Sequence, residues 1–291
     1  MIVWLDVLIQ GLLLGGLYAL YAAGLALMFG VMRLVNIAHG DAVVAAAFVA
    51  IALQTAVDVG TSAALVIVPI VFFALGYALQ RWLLNLTLGR GILPPLLVTF
   101  GLSVVAQNLL LEIFSADSWS FNAAGLETLS LALGGGVAVG VLPLGILIAA
   151  ILTTVALEHV LRRTRLGMAF RAASDDLEAA QLVGLDHRRL YALATAIAFA
   201  VIAIAGVSLA HRTTVAPTDG PNLLLYAFES VIIGGLGSFW GTFVGAATLG
   251  IAQAIGLRLD PGWGPLAGHL AFFAILLWRP TGLYERTHEW A

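Results

Sequence analysis

The chain has 291 residues, of which 61% are hydrophobic and only 10% are charged, and its mean hydropathy is +1.03. A soluble domain carries about 25% charged residues, and the interior of a globular fold of this size is too small to hide so much apolar surface. The composition therefore excludes a water-soluble fold and predicts an integral membrane protein. The net charge of -3 indicates little about partners.

The apolar runs are long and continuous, which favours membrane-spanning helices over a barrel, whose strands alternate in polarity. The segment from Met1 to Asp6 lacks the basic residues that open a signal peptide. We therefore expect the first apolar run to be retained as a helix. Cysteine is absent, which excludes disulfides, thiolate metal sites and a cysteine nucleophile.

A helix needs about 20 apolar residues to cross the bilayer core. Apolar runs lie near 3–30, 41–58, 62–80, 93–113, 140–161, 190–210, 222–238, 240–257 and 263–279. Gly234, Gly235 and Gly237 interrupt the chain between the seventh and eighth runs, so one of these two is a candidate re-entrant or broken helix. We predict an all-α polytopic bundle of about 8–10 transmembrane helices, forming a single domain over 1–291.

The distribution of arginine predicts the orientation of this bundle, because cytoplasmic loops carry an excess of basic residues. With the N-terminus outside and nine crossings, the outer side holds only Arg212 and Arg258. The inner side collects Arg33, Arg81, Arg90, Arg162, Arg163, Arg165, Arg171, Arg188, Arg189, Arg279 and Arg286. The loop over 114–139 contains no arginine and is expected outside.

Small residues recur at spacings of four, a pattern that lets helix backbones approach closely in lipid. The stripes are Gly11/Gly15/Ala19, Ala42/Ala46/Ala50, Ala192/Ala196/Ala200 and Gly237/Gly241/Gly245. We interpret Gly237, Gly241 and Gly245 as a helix-packing surface.

The inner stretch over 162–190 is the longest polar segment of the chain. Asp175 is expected to cap a short helix, with Glu178 three residues on in the position of a capping box. Gly184 is a natural stop for that helix. The helix is too short to span the bilayer, so it either forms a docking surface on the inner face or belongs to a solvated loop.

Polar residues inside the apolar runs are costly and often functional. Asn36, His39 and Asp41 lie between the first two runs and either line a pathway or cap and pack helices. Thr99, Ser103 and Gln107 follow one another at intervals of four on the fourth run and share one face. That stripe either lines a pathway or bonds to a neighbouring helix.

Glu229 lies in the interrupted seventh run with no arginine near it in sequence. It either faces water in a cavity or is protonated in the bundle, and it is a candidate partner for a substrate ammonium group. His159 lies beside Glu158 at the inner boundary and His211 lies at the outer boundary, but no histidine is paired in the pattern that a metal or catalytic site would need. His269 in particular is expected to be isolated in the last span.

Four segments resemble permeases of branched-chain amino-acid ABC importers, and their order and spacing cover nearly the whole chain. The first is Asn36-Ile-Ala-His-Gly40, and the second is the segment that begins at Arg171 with Arg-Ala-Ala-Ser-Asp-Asp-Leu-Glu and ends at Gly184. The third is the glycine-rich Gly234-Gly-Leu-Gly-Ser238, and the fourth is Trp278-Arg-Pro-Thr-Gly-Leu283.

The resemblance implies a bacterial inner-membrane subunit that works by alternating access. Its implied partners are a second permease subunit, two cytosolic ATPases that bind ATP and magnesium, and an extracytoplasmic binding protein. The coupling segment over 171–184 would contact the ATPase through Arg171, Asp175, Asp176, Glu178, Ala179 and Gly184. This chain has no phosphate-binding loop of the type G-x-x-x-x-G-K-[ST], so no cofactor and no catalytic site are expected on it.

Two rival functions remain at this point. An ion-coupled secondary transporter would use intramembrane acids such as Glu229 to relay protons, and an intramembrane enzyme would need a catalytic constellation that the sequence does not show. Within the permease family, the residues do not separate branched-chain amino acids from urea or short amides as the substrate.

Overall fold

A computed structural model of the chain describes residues 2–88, 91, 93–122, 125–134 and 137–284. Arg90 and Arg286, which enter the predicted orientation, lie outside these residues. The helices of the described part are α1 (Ile2–Met32), α2 (His39–Val57), α3 (Thr61–Trp82), α4 (Leu93–Phe114), α5 (Val141–Arg163), α6 (Arg165–Asp175), α7 (Leu177–Leu182), α8 (His187–Arg212), α9 (Gly220–Gly234), α10 (Phe239–Leu259) and α11 (Gly264–Trp278). Two strands, β1 (Ser130–Gly134) and β2 (Val137–Gly140), form an antiparallel hairpin.

Nine of these helices correspond to the nine apolar runs, and the predicted all-α polytopic class is confirmed. Seven are long and apolar enough to cross a membrane, namely α1, α2, α3 (extended to Leu86), α4, α5, α8 and α10. The two others, α9 and α11, have 15 residues each, which is fewer than the roughly 20 that a full crossing requires. The interrupted seventh run is therefore a short helix, α9, that ends at Gly234.

The centre of the bundle is formed by α1 and α8, which are buried along most of their length, whereas α3, α4 and α5 are largely exposed. Close approach of α1 and α10 depends on small residues. A Cβ atom placed on Gly15 would lie 2.6 Å from the Cα atom of Ala247, and one on Gly11 would lie 2.6 Å from the Cα atom of Ile251. The predicted Gly11/Gly15 stripe is thus a packing surface against α10.

The predicted glycine stripe of α10 is only partly correct. A Cβ atom on Gly241 would overlap the carbonyl oxygen of Gly234, and one on Gly245 would overlap that of Ser230. These two glycines therefore hold α10 against α9. Gly237, however, lies outside α10, in the turn before Phe239, and has φ +90°. Its role is to permit a left-handed turn, not to pack a helix face.

The two ends of the bundle differ in character. At one end the β hairpin is accompanied by a backbone bridge between Trp119 and Val215. At the other end Arg33 donates to the Ser174 carbonyl oxygen, and Asn85 donates to that of Arg188. This second end carries α6, α7 and the arginines that flank them, in agreement with the predicted grouping of basic residues.

Candidate functional site

The inner polar segment forms two consecutive helices, α6 and α7, where the sequence suggested one. Asp176 caps α7, since its Oδ1 atom accepts a hydrogen bond from the Ala179 amide at 3.0 Å. The prediction that Asp175 is the cap was wrong, because Asp175 is the last residue of α6. Two adjacent aspartates offer the same capping chemistry, and the extended backbone of Asp176 (φ −143°, ψ 104°) decides between them.

This shift by one residue also changes the role of Glu178. It occupies the second position of α7 and is exposed, so it does not complete a capping box with Asp176. Its charge still lies in the first turn, where the helix dipole favours an acidic side chain. At the other end α7 stops at Leu182, and Gly184 has φ +88° with its amide donating to the Gln181 carbonyl oxygen at 3.0 Å. The predicted glycine stop is confirmed.

α6 is fixed to the ends of two membrane helices. The Ser174 hydroxyl donates to the Gly30 carbonyl oxygen of α1 at 2.9 Å, and the Arg171 guanidinium donates to the Leu161 carbonyl oxygen of α5 at 2.5 Å. Phe170 and Ala173 are buried beneath the helix. A displacement of α6 would therefore be passed to the ends of α1 and α5.

α7 presents an apolar tip that the sequence analysis did not single out. Leu182 is 89% exposed and Val183 is 78% exposed, while Ala180 is buried. Ala179 and Gln181 are exposed beside them. Large apolar side chains exposed at the end of a capped helix are typical of a surface that meets a partner.

A second set of predicted residues forms a buried polar cluster at the start of α2. Asn36 and His39 are fully buried, and Asp41 is nearly so. The Asn36 Oδ1 atom accepts from the Ala38 amide at 3.1 Å, and His39 Nε2 lies 2.7 Å from the Tyr21 carbonyl oxygen in the middle of α1. Among the described residues, the Nδ2 atom of Asn36, Nδ1 of His39 and Oδ1 of Asp41 have no hydrogen-bond partner.

Asp41 does not cap α2, so the expectation that it serves as a helix cap was wrong. α2 begins at His39, its cap position is Ala38, and Asp41 lies inside the first turn. The carboxyl group instead reaches the beginning of α9, where Oδ1 occupies the space that a side chain at Gly220 would fill. An acidic group beside the start of a helix is favoured by the helix dipole.

The polar stripe of α4 meets this cluster. Thr99 and Ser103 are buried, Gln107 is half-buried, and the Gln107 Nε2 atom donates to the Ser103 hydroxyl at 3.2 Å. Ser103 and Gln107 interact with the Asp41 carboxyl group of α2. Asp41 therefore joins α2, α4 and α9.

Glu229 and His269 form a pair that the sequence analysis did not find. The Glu229 Oε1 atom lies 2.6 Å from His269 Nδ1, which connects α9 to α11. The expectation that His269 is isolated was therefore wrong, and Glu229 has a polar partner within the bundle. The residues are 40 positions apart in the chain, so no local spacing could have indicated their contact.

Aromatic residues surround this pair. The Tyr226 ring stacks on His269 with ring centres 6.2 Å apart, and on Tyr18 of α1 with ring centres 4.9 Å apart. The Tyr18 hydroxyl donates to Gln253 Oε1 of α10 at 2.6 Å. Four helices thus contribute to one buried polar and aromatic network.

This architecture defines a class: a polytopic helical membrane protein with polar groups buried between its helices and a capped, two-helix segment at one end. Comparison with known proteins then gives the family. A family model described as "Branched-chain amino acid transport system / permease component" matches residues 7–277, so the chain belongs to this family. It is a transmembrane permease subunit of the ABC importer type.

Individual relatives agree with this assignment. The chain is 30% identical to the high-affinity branched-chain amino acid transport system permease protein BraD of Pseudomonas aeruginosa, over 97% of this chain and 96% of that protein. It is 27% identical to the corresponding LivH of Escherichia coli K12, with the same coverage of both chains. The fructose import permease protein FrcC of Rhizobium meliloti is 33% identical over 59% of this chain and 51% of its own length.

Proposed function

We propose that this permease carries branched-chain amino acids across a bacterial inner membrane by alternating access, driven by ATP hydrolysis on separate cytosolic subunits. The observation that carries the proposal is the match along nearly the whole chain to permeases named for branched-chain amino-acid transport. The fructose permease matches over a shorter part of the chain. Urea and short amides are the alternative substrates.

The proposed assembly contains a second permease subunit, two ATPases that bind ATP and magnesium, and an extracytoplasmic binding protein. No cofactor is assigned to this chain. The two ATPases would supply ATP hydrolysis, since the sequence contains no phosphate-binding loop for ATP. Selection of the substrate would rest largely on the binding protein.

Within this assembly, we assign ATPase coupling to the segment over 171–184. Leu182 and Val183 project from the end of α7 and would contact the ATPase, together with the exposed Glu178 and Ala179. Asp176 caps the start of α7, and Gly184 follows its end. Asp175 is the last residue of α6, and Arg171 connects α6 to α5 through a hydrogen bond. A push on α7 would move α6 and, through Ser174, the end of α1.

We assign the substrate pathway to the region where α2, α4 and α9 meet. Its residues are Asn36, His39, Asp41, Thr99, Ser103, Gln107 and, further along α9, Glu229. Polar groups buried between membrane helices commonly mark such a path. The unpartnered atoms of Asn36, His39 and Asp41 support this assignment, because a buried polar atom is costly unless another state or a ligand satisfies it.

The decisive experiment is uptake into proteoliposomes that contain this chain, with and without the proteins encoded beside it. We expect ATP-dependent uptake of leucine only by the complete assembly. Parallel assays with urea, a short amide and fructose define the substrate class. Leucine uptake by this chain alone, driven by an ion gradient and indifferent to ATP, would contradict the proposal and support the secondary transporter.

A further inference from the structure

A cavity of about 630 Å³ opens at the end of the bundle that carries α7. It lies between the end of α1, Asn85, Leu88 and Gly91 from the chain after α3, the beginning of α4, α7 and the beginning of α8. Its volume falls within the range of about 300–1,000 Å³ that is typical of sites for small organic ligands. Leu177 and Gln181 of the proposed coupling segment line it, but none of the residues assigned to the substrate pathway does.

Two arginines give the cavity a positive charge. Arg33 and Arg188 line it, and no carboxylate of the described residues lies within 4.0 Å of either guanidinium group. The charge of the two arginines is therefore available for an anionic ligand.

The rest of the lining is divided between polar and apolar groups. Asn85, Gln181 and His187 are polar members of the lining, whereas Leu88 and Leu96 are apolar members. A site lined by two arginines and several apolar side chains matches a molecule that has an anionic head and a hydrocarbon body.

The position of the cavity points to the source of such a molecule. The cavity lies at the arginine-rich end of the bundle, which the distribution of basic residues assigns to the cytoplasmic leaflet. The cytoplasmic leaflet carries anionic phospholipids, and basic pockets between membrane helices on this side bind their head groups. Guanidinium groups suit phosphate oxygens because they donate hydrogen bonds in a planar fork.

We propose that this cavity binds one anionic phospholipid of the cytoplasmic leaflet, with its phosphodiester group at Arg33 and Arg188 and its apolar part against Leu88 and Leu96. The lipid would contact α1, α7 and α8 together. This inference depends on the membrane class of the chain and not on the identity of the transported substrate.

Lipid binding by the purified complex tests the proposal directly. Native mass spectrometry in detergent would compare retention of phosphatidylglycerol with that of phosphatidylcholine. A charge of this kind contributes about fivefold to lipid affinity, so Arg33→Gln or Arg188→Gln should each weaken phosphatidylglycerol binding about fivefold, and the double variant about thirtyfold. Phosphatidylcholine binding should change little.

The matched control is Arg162→Gln with Arg189→Gln, which removes the same charge from the same end of the bundle. These two arginines pair with Glu158 and Asp186 and do not line the cavity. We expect the control to retain phosphatidylglycerol like the unmodified chain. Thermal unfolding of both double variants in a neutral detergent would verify that each is folded.

Three results would overturn the proposal. Equal loss of phosphatidylglycerol in both double variants would indicate a general attraction of the basic face. Binding of inorganic phosphate alone at the same arginines, with no preference among lipids, would make the cavity a free-phosphate site. Unchanged lipid binding in the cavity variant, combined with loss of the ATPase from the complex, would assign the arginines to an acidic protein surface.

Discussion

Gly220 illustrates how a single position holds two helices together at the polar cluster. A Cβ atom at this residue would overlap the Asp41 Oδ1 atom, and one at Gly40 would overlap the Gly220 carbonyl oxygen. We predict that Gly220→Ala destabilises the protein by about 1–3 kcal/mol, the usual cost of overpacking. Thermal unfolding followed by size-exclusion chromatography in detergent measures this change.

Gly101→Ala provides the control for that substitution. Gly101 lies in α4 with nothing within 4 Å of its Cβ position, so alanine should be neutral or should stabilise the helix by up to about 1 kcal/mol. If Gly220→Ala and Gly101→Ala unfold at the same temperature, the close contact between α2 and α9 described here is wrong.

Gln107 and Asn108 are adjacent on α4 and differ in the direction of their side chains. Gln107 reaches Ser103 and Asp41, whereas Asn108 is exposed and donates to the Val104 carbonyl oxygen of its own helix. We predict that Gln107→Leu lowers uptake at least tenfold, because it removes a polar group from the proposed pathway. Asn108→Leu should leave uptake within about twofold, since its side chain faces away from that pathway. Equal uptake by the two variants would contradict the proposal that the polar stripe of α4 lines the pathway.

At the scale of the element, α7 depends on its two ends because it has only six residues. Asp176→Ala removes the cap and should cost about 1 kcal/mol of local stability, whereas Asp175→Ala leaves the cap intact. Hydrogen exchange of the α7 amides would show faster exchange for Asp176→Ala alone. Equal exchange rates in the two variants would contradict the assignment of Asp176 as the cap.

Gly184→Pro is the corresponding test at the end of α7. Proline fixes φ near −65° and lacks the amide that donates to the Gln181 carbonyl oxygen, so it is incompatible with φ +88°. We predict a folded assembly in which ATP hydrolysis continues but uptake falls to background. Normal transport by this variant would refute the coupling role of the segment over 171–184.

At the scale of the whole molecule, the absence of cysteine makes the orientation directly measurable. Ser118 and Glu178 are exposed at opposite ends of the bundle. With the N-terminus outside, Ser118→Cys should react with an impermeant maleimide in intact spheroplasts, and Glu178→Cys only after permeabilisation. The reverse labelling pattern would invert the orientation and move the proposed lipid site to the outer leaflet.

Some features of the sites could be predicted because they depend on neighbours in the chain. Gly184 follows a short helical run and was correctly predicted to stop it, and the position of α7 was correct to within one capping residue. The sequence could not show whether Asp175 or Asp176 caps α7, because the two residues have the same side chain. Only the backbone conformation after α6 identifies Asp176 as the cap.

The sequence by itself determined that this protein is an all-α membrane protein, because the composition and the length of the apolar runs show which segments are surrounded by lipid and not by water. It also revealed the family, through motifs spread along the chain. Only the tertiary structure showed that Asp41 joins α9, that Glu229 meets His269 and that Arg33 and Arg188 share a cavity. The residues of each pair lie between 40 and 179 positions apart in the chain, and their proximity depends on how the helices pack, which local spacing does not encode.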